Sequence, residues 1–390
     1  YGLITSRDAY EVFSVTASLP VGSVTVCNAS GDFIGTYTTI QAGITACPDG
    51  GTVLVDAGTY TENINFLGKA ITVKSVHGTA STIIDGNKNG SVVIFNSGEG
   101  SSSVLDGFTV INGQANSGGG ICCLGSSPLI TNCSISNNSA NEHGGGIDCS
   151  NSSPLINNCT ISDNLVYEGG GIHCEGSSPV ITNCFISNNL ADGGGGIHCE
   201  EGSSPVITNC TISNNSVNID GGGICCLDSS PLITNCTINN NLANRWGGGI
   251  YCWSSLPTVA NSILWNENPQ EIYLNGGSSI NITYSDIEGG YSGIGNINAD
   301  PLFVGVSDFH LQAASPCINV GSNTAIGTTT DKDDNPRIAD GTVDMGAYEY
   351  QGTPPLHPEY GSLSITSTPA GARIYLDSND TGSITTITFT

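Results

Sequence analysis

The stretch GGGICCLGSSPLITNCSISNN, at residues 118–138, returns almost unchanged as GGGIDCSNSSPLINNCTISDN at residues 144–164. Its Gly-Gly-Gly-Ile element occurs six times, at spacings of 25 to 27 residues. Repetition at such a period is typical of solenoids, in which each unit buries its apolar face against the next. The isoleucines of the element are Ile121, Ile147, Ile172, Ile197, Ile224 and Ile250.

Each unit holds short segments rich in Ile, Thr, Val and Ser, separated by Gly and Asn, without helical periodicity. Such units predict an all-β chain folded as a parallel β-helix (solenoid) of roughly ten turns. The glycine triplet is expected at a bend where a positive φ and close stacking leave no room for a Cβ. A ladder of stacked amides is predicted at a second bend, formed by Asn132, Asn158, Asn183, Asn209 and Asn235.

Cysteines recur at two positions of the unit, one of them two residues after each isoleucine. Alternation along a strand points Ile121 and Cys123 into the core and Cys122 away from it. Three interpretations stay open: well-packed core thiols, disulfides between rungs roughly 4.8 Å apart, and a buried metal or cluster. The two columns are Cys123, Cys149, Cys174, Cys199, Cys226 and Cys252, and Cys133, Cys159, Cys184, Cys210 and Cys236.

The chain of 390 residues carries 34 Asp and Glu against eight Lys and Arg, a formal net charge of −26. This charge repels phosphate backbones and argues against nucleic acid as a partner. No apolar run approaches the roughly 18 residues that would cross a membrane, so membrane insertion is not expected. Because the chain begins at Tyr1, we expect that a signal peptide has been removed and that the protein is extracellular or on the cell surface.

With these repeats the chain resembles the right-handed parallel β-helix proteins of the pectin-lyase-like superfamily. The stretch 38–78 resembles the superfamily's N-terminal cap, with TIQAGITAC as the short helix that closes the core. ADPLFVGVSDFHLQAASPCINVGS (299–322) and DKDDNPRIADGTVDMGAYEY (331–350) resemble the closing segment of many secreted prokaryotic members. Residues 361–390, beginning GSLSITSTPAGARIYLD, resemble the start of a PEGA-type domain, a small β module of prokaryotic cell-surface proteins.

We therefore predict an N-terminal extension (1–35), the β-helix with its cap and closing segment (36–350), a Pro-rich linker (351–360) and a partial PEGA-like module (361–390). The module is shorter than the resemblance implies, and the alternating segment AYEVFSVTASL (9–19) has no obvious place in the solenoid. These features suggest that the N-terminal strand of one subunit completes the module of the next, in a head-to-tail filament or sheath. The alternative is a trimmed chain whose residues 1–35 pack on the cap.

The outward column, one residue after each repeat isoleucine, is the main candidate site because it collects metal-ligating side chains. Stacking at roughly 4.8 Å per rung places His173 beside His198, with Asp148 and Cys225 on either side. Imidazole, carboxylate and thiolate bind zinc or copper, so these four residues predict a surface metal site. The alternative is an exposed position that varies freely. Cys122 and Cys225 are also expected to be exposed thiols that can cross-link subunits.

The segment DKDDNPR offers a second candidate, with Asp331, Asp333 and Asn335 as oxygen ligands of calcium. The alternative is a turn whose acids pair with Arg337. Neither ion is needed to explain the repeat, so we expect no required cofactor, with calcium or zinc as the candidates.

No catalytic constellation emerges from the repeats. A lyase of this superfamily needs a basic residue, and no Lys or Arg occurs from residue 89 to 244. A glycosidase needs paired carboxylates, which the spacing does not identify. We therefore predict a non-enzymatic extracellular structural or adhesive protein, whose partners are its own copies or cell-surface components.

The alternative is a carbohydrate-binding or polysaccharide-degrading, lyase-like protein, with a polysaccharide as its partner. Its site would lie near a basic residue outside the central rungs or along exposed aromatic side chains, which stack on sugar rings. These candidates are Lys69, Lys74, Lys88 and Arg245, and Trp246, Tyr251 and Trp253.

Overall fold

A computed structural model describes residues 22–352 and, beyond them, only the strands Leu363–Ser364, Arg373–Leu376, Asn379–Ile384 and Thr388–Phe389. Residues 22–352 coil into a parallel β-helix with three long sheets, as the repeat predicts. Successive coils pair in register, so that each residue of a repeat lies beside its own copy one coil later; Cys149 pairs with Cys174, and Cys174 with Cys199.

The three sheets alternate along the chain, each coil adding one strand to each. The first sheet contains Val24–Cys27, Phe33–Tyr37, Thr52–Val55, Thr72–Ser75, Val104–Asp106, Leu129–Thr131, Leu155–Asn157, Val180–Thr182, Val206–Thr208, Leu232–Thr234, Thr258–Ala260 and Asn281–Thr283. The second contains Gly58–Thr61, Thr82–Asp85, Thr109–Ile111, Ser134–Ser136, Thr160–Ser162, Phe185–Ser187, Thr211–Ser213, Thr237–Asn239, Ile263–Trp265 and Asp286–Ile287. The third contains Ile64–Asn65, Val93–Phe95, Ile121–Leu124, Ile147–Ser150, Ile172–Glu175, Ile197–Glu200, Ile224–Leu227, Ile250–Trp253 and Ile272–Asn275.

A further set of short strands, here called the outer strands, lies between the second and third sheets in the coils that span residues 114–243. They bury a small apolar cluster of their own, formed by Val166, Ala191, Val217 and Ala243. The outer strands are Gln114–Ser117, Ser139–His143, Leu190–Gly193, Ser216–Asp220 and Leu242–Ala243, with bridges through Leu165 and Glu168 in the coil between.

Isoleucine and cysteine fill the core in unbroken columns. The six isoleucines of the Gly-Gly-Gly-Ile element are fully buried, and the eleven cysteines of the two columns are between 0 and 2% exposed. All sixteen cysteines are free thiols. In the second column each Sγ lies near backbone carbonyls, as Cys210 does at 3.5 Å from the oxygen of Ile181. These contacts correspond to the packed-thiol interpretation, because thiols are small enough to stack beside their own copies.

The glycine triplet has two separate steric causes. The first glycine has a positive φ, +64° at Gly194, and a Cβ there would lie 2.6 Å from the Cβ of His198. The third glycine meets the next coil, since a Cβ on Gly196 would lie 2.5 Å from the carbonyl oxygen of Gly223. The predicted bend is therefore present, and close stacking is what requires glycine at the third position.

The asparagine ladder lies at a different column from the one predicted. At the predicted position Asn132 is an exposed turn residue with a φ of +53°, and its amide donates to Asp106. Asn158 makes only a 3.5 Å contact with it. The continuous ladder is instead formed by buried amides six residues further on, each Nδ2 donating to the next Oδ1: Asn138, Asn164, Asn189, Asn215 and Asn241.

The N-terminal end of the core is closed by the predicted helix, Ile40–Ala46. Thr39 caps it by accepting from the backbone N–H of Ala42, and Glu62 accepts from two further N–H groups of the first turn. The strand Val24–Cys27 pairs antiparallel with Thr52–Val55. Residues 22–35 therefore belong to the cap of the solenoid, and the predicted boundary after residue 35 cuts through the strand Phe33–Tyr37.

The closing segment packs back along the side of the coils. Lys332 Nζ donates to the carbonyl of Asn183 at 2.6 Å, and the backbone N–H of Ala347 donates to Thr237. Residues 303–325 contain two further elements. They are a hairpin of Phe303–Gly305 with Asp308–Leu311 and the 3-10 turn Asn323–Ala325.

Beyond residue 352, two antiparallel strand pairs are described. Leu363–Ser364 pairs with Thr388–Phe389, and Arg373–Leu376 pairs with Asn379–Ile384. The predicted linker, apart from residues 351 and 352, and the alternating segment 9–19 lie outside the described residues.

Candidate functional site

The outward column of the third sheet lies beneath the outer strands, where the two border a cleft of about 370 Å³. The sheet contributes His198, Cys225 and Trp253 to the cleft, and the outer strands and their connections contribute Tyr167 and Glu168. Because the outer strands and their connections pass over this face in the central coils, the column is covered there although it points away from the core.

This cover corrects the prediction that the column is exposed. Asp148, His173, His198, Cys225 and Tyr251 are between 0 and 6% exposed.

The two thiols that were predicted to be exposed are also covered, fully or in part. Cys225 is buried, and burial raises the pKa of its thiol well above its usual value. Cys122 is half-buried, and burial, with the nearby Asp148 carboxylate, raises its pKa to about 12. The prediction of exposed thiols is therefore wrong for Cys225, and both side chains have little thiolate at neutral pH.

His173 lies at the centre of a polar cluster. The register places it between Asp148 and His198, as predicted, and its Nδ1 lies 2.8 Å from Asp148 Oδ1. Its Nε2 lies 3.1 Å from Glu200 Oε1. Burial by itself lowers the pKa of this imidazole, but the hydrogen bonds to the two carboxylates outweigh it and raise the pKa to about 10. The hydrogen bond from His173 in turn lowers the pKa of Glu200.

Two further residues complete the cluster. The ring of His143 stacks on His173 with centroids 4.5 Å apart, and His143 Nδ1 lies 3.4 Å from Glu168 Oε2. One ligand atom from each of His143, Glu168, His173 and Glu200 lies within 4.8 Å of the other three. His198 is next to this group, with its Nε2 3.9 Å from Glu200 Oε2.

The predicted metal set is thus only partly brought together. His173 is in the cluster, and Asp148 hydrogen-bonds to its Nδ1. Cys225 lines the cleft one coil beyond His198. Sequence reasoning missed His143 and Glu168, which pair one coil apart on the outer strands. It also missed Glu200, two residues after His198. The repeated spacing of 25 residues from His143 to Glu168 was a signal that could have found the first two.

Two of the predicted calcium ligands, Asp331 and Asp333, make other contacts in the structure. Asp331 is buried, and its Oδ1 accepts from the N–H groups of Asp333 and Asn335 while its Oδ2 accepts from Glu349. Asp333 lies 2.6 Å from His310 Nε2 instead. The segment is a hydrogen-bonded turn of the kind that an aspartate side chain organises. Its acids do not pair with Arg337 as the alternative expected, because Arg337 is buried and donates to the carbonyls of three residues, Asp344, Gly346 and Ala347.

The aromatic candidates separate into two groups. Trp253 and Tyr167 both line the cleft, and they are 45% and 51% exposed. Tyr251 is buried, and Trp246 stacks on Tyr273 with centroids 4.6 Å apart. Trp253 and Tyr167 are therefore the aromatic surfaces that a ligand in the cleft can reach.

Comparison with known proteins places the chain in a family. The model described as the right handed beta helix region matches residues 69–231 and 169–309, together more than half of the chain. The protein belongs to this family of right-handed β-helix proteins. No curated protein matches it.

Two solved structures are similar at low identity. A pectate lyase, Pel9A, is 15% identical with a TM-score of 0.46, over 79% of this chain and 90% of the lyase. A pectin methylesterase from carrot is 15% identical with a TM-score of 0.42, over 65% of this chain and 86% of the esterase. Within the part of the chain that the structure describes, no helix is long and apolar enough to span a bilayer.

Proposed function

We propose that this protein is a non-enzymatic structural or adhesive protein of the cell exterior. The observation that carries the proposal is the use of its few cations. Five of the six Lys and Arg side chains in residues 22–352 are engaged in hydrogen bonds or ion pairs with other residues of the chain, and Lys88 lies at an exposed turn and is not among the residues that line the cleft.

Arg245 illustrates the point, since it is the cation nearest to the cleft in the repeat. It donates through Nε and Nη2 to Asp220, which itself lines the cleft. These hydrogen bonds raise the pKa of the guanidinium. A base for β-elimination must accept a proton, and a guanidinium paired in this way is a poorer base than a free one.

The repeat architecture supports a rod. Isoleucine, cysteine and asparagine columns run from coil to coil, and a serine column adds to them, with the N–H of Ser126 donating to Ser152 and that of Ser152 to Ser177. Each coil is bonded to both neighbours by backbone and side chains alike. An array of this kind is stabilised mainly by contacts between neighbouring coils, so it extends as coils are added.

The experiment that tests the proposal is incubation of the full chain with polygalacturonate, alginate and neutral polysaccharides. We expect no unsaturated product in ultraviolet absorbance and no new reducing ends. Release of unsaturated products, abolished in Arg245→Ala, would overturn the non-enzymatic assignment.

Head-to-tail assembly is the finer form of the proposal. It is supported by the alternating apolar pattern of residues 9–19, which suits a strand added to an open β edge. Negative-stain microscopy of the concentrated full chain is expected to show filaments or sheets, and removal of residues 1–20 is expected to abolish them. A monodisperse monomer at every concentration contradicts this form.

A second candidate function is carbohydrate binding in the cleft, favoured by the exposed faces of Trp253 and Tyr167 on its wall. Glu168, Asp192 and Asp228 also line the cleft, and they repel anionic uronates. The ligand that suits this surface is therefore a neutral or amino sugar polymer. We expect Trp253→Ala to abolish retention on such a polymer and Trp246→Ala to leave it unchanged. Equal loss in both variants contradicts a site in the cleft.

A further inference from the structure

The cluster around His173 goes beyond the proposed structural role, because a rod needs no group of imidazoles and carboxylates under its outer strands. We propose that His143, Glu168, His173 and Glu200 bind one transition-metal ion of the zinc class, with Asp148 as the positioning residue. Metal binding in this form neither requires nor excludes the function proposed above.

The spacing of the donor atoms fits one ion. Tetrahedral zinc with bonds of roughly 2.0 to 2.2 Å has ligand atoms roughly 3.3 to 3.6 Å apart. The pair His143 Nδ1 and Glu168 Oε2 is separated by 3.4 Å, and the pair His173 Nε2 and Glu200 Oε1 by 3.1 Å. The four atoms lie within 4.8 Å of one another, and a shared ion requires the stacked rings of His143 and His173 to turn until both lone pairs point to it.

Asp148 sets the orientation of the central ligand. When its carboxylate accepts a hydrogen bond from the Nδ1–H of His173, the imidazole is held in the tautomer that presents a lone pair at Nε2. Carboxylate partners of this kind commonly orient metal-binding histidines. Ser150 Oγ lies 3.1 Å from Asp148 Oδ2 and 3.1 Å from Glu175 Oε2, so its one hydroxyl proton is shared between the two carboxylates.

Unpartnered nitrogens give an independent indication of a ligand. His143 Nδ1 is buried and forms no hydrogen bond, although Glu168 is beside it. His198 is 2% exposed, and neither of its ring nitrogens has a hydrogen-bond partner. Buried polar atoms are nearly always partnered in folded proteins, so the unpartnered Nδ1 of His143, within the proposed ligand set, indicates a group that binds there.

The donor set selects the kind of ion. Two imidazoles and two carboxylates suit zinc and its neighbours among the divalent transition metals, whereas calcium takes six to eight oxygen ligands. The competing explanation is a proton, since a cationic His173 between Asp148 and Glu200 satisfies both carboxylates without any metal. That explanation leaves the buried Nδ1 of His143 without a partner.

The test is zinc titration of the chelator-treated full chain, by competition with a chromophoric chelator and by elemental analysis after dialysis. We expect one equivalent of zinc in the native chain. His143→Ala and Glu200→Gln are expected to weaken binding by about 100-fold or more, and Asp148→Asn by about 10-fold with the stoichiometry unchanged.

The repeat provides a matched control. Glu175 occupies the position of Glu200 one coil earlier and lies outside the cluster, so Glu175→Gln should bind zinc as the native chain does. His310→Ala, which removes a histidine paired with Asp308 and Asp333, should do the same.

Absence of stoichiometric zinc at micromolar concentration would overturn the proposal, as would equal weakening by Glu175→Gln and Glu200→Gln. If a variant is poorly folded by circular dichroism, cobalt substitution of the native chain decides, because two-imidazole, two-carboxylate coordination has visible bands that one equivalent of zinc must abolish. A featureless cobalt spectrum counts against the site.

Discussion

The two faces of the third sheet use the same strands for different purposes. In Ile172–Glu175 and Ile197–Glu200 the inward residues are Ile and Cys in both strands, and the same pair recurs in every central coil. The outward residue between them changes along the column from aspartate to histidine to cysteine to tyrosine. An inward residue must stack on its own copy, whereas an outward one meets the outer strands, whose sequence differs from coil to coil. Stacking therefore restricts the residue types on the inward face, whereas the outward residues can vary and form a site.

The largest effect is expected where the stacking itself is blocked. Gly196→Ala places a Cβ 2.5 Å from the carbonyl oxygen of Gly223, a fixed backbone atom of the next coil. We expect a loss of at least about 3 kcal/mol of unfolding free energy, measured by denaturant unfolding. Gly100→Ala, where a Cβ meets nothing within 4 Å, is the control and should be close to neutral.

A somewhat smaller effect is expected from the inward amide ladder. Asn189→Ala removes the amide that donates to Ile161 and Asn215, and it leaves the buried N–H of Asn164 without its acceptor. The cost should be about 1 to 3 kcal/mol. The neighbouring Asn188, exposed with a φ of +55°, provides the contrast, since Asn188→Gly should cost under about 1 kcal/mol. Similar losses of unfolding free energy in both variants would show that the buried amides contribute no more stability than the exposed turn residues do.

The protonation of buried carboxyl groups gives a third way to compare the outward and inward faces. The outward carboxylate Glu200 has a lowered pKa beside His173, whereas burial raises the pKa of Glu271, near the end of the inward ladder, to about 8. An acid with a raised folded pKa stabilises the fold fully below its unfolded value, about 4.3, and loses that contribution as the pH rises through the folded value. We expect the unfolding free energy to fall by on the order of a few kcal/mol between pH 5 and pH 9.

Buried Asp286 and Glu349, with pKa values raised to about 6 and about 7, contribute in the same direction at lower pH. Glu271→Gln should therefore flatten the upper part of the profile, above pH 7. Glu142→Gln, at an exposed position, should leave the profile unchanged. Stability that rises with pH in this range argues against neutral buried carboxyls.

The smallest effect concerns the thiols. A maleimide reagent should label Cys225 in the unfolded chain only, and Cys122 slowly at most in the native chain, because burial keeps both thiols protonated. The protein should run as a monomer on non-reducing gels. Rapid native labelling of Cys225 would mean that the outer strands do not cover the column in solution.

The parts of this structure that the sequence predicted depend on contacts within the repeat. Ile121 and Cys123 face inward because side chains alternate along a strand, and the next copy follows 26 residues later. The asparagine ladder was misplaced because Asn132 and Asn138 share the same period, and periodicity does not distinguish a positive-φ turn residue from an inward one. The site was found in part, since the register brings His173 to Asp148. His143 and Glu168 reach the same point only because the outer strands fold over the sheet.

The sequence by itself therefore determined the coil, its period and the residues that fill its core, since each of these follows from one unit meeting its own copy. Only the tertiary structure decided that the outward column is covered, that Cys225 is buried and that four residues from four separate strands and connections converge beside His173. The physical reason is that the outer strands are short and irregular. Their position over the sheet is set by packing across the coil, around Val166 and Ala191 among others, and their own period shows only which residues pair from coil to coil.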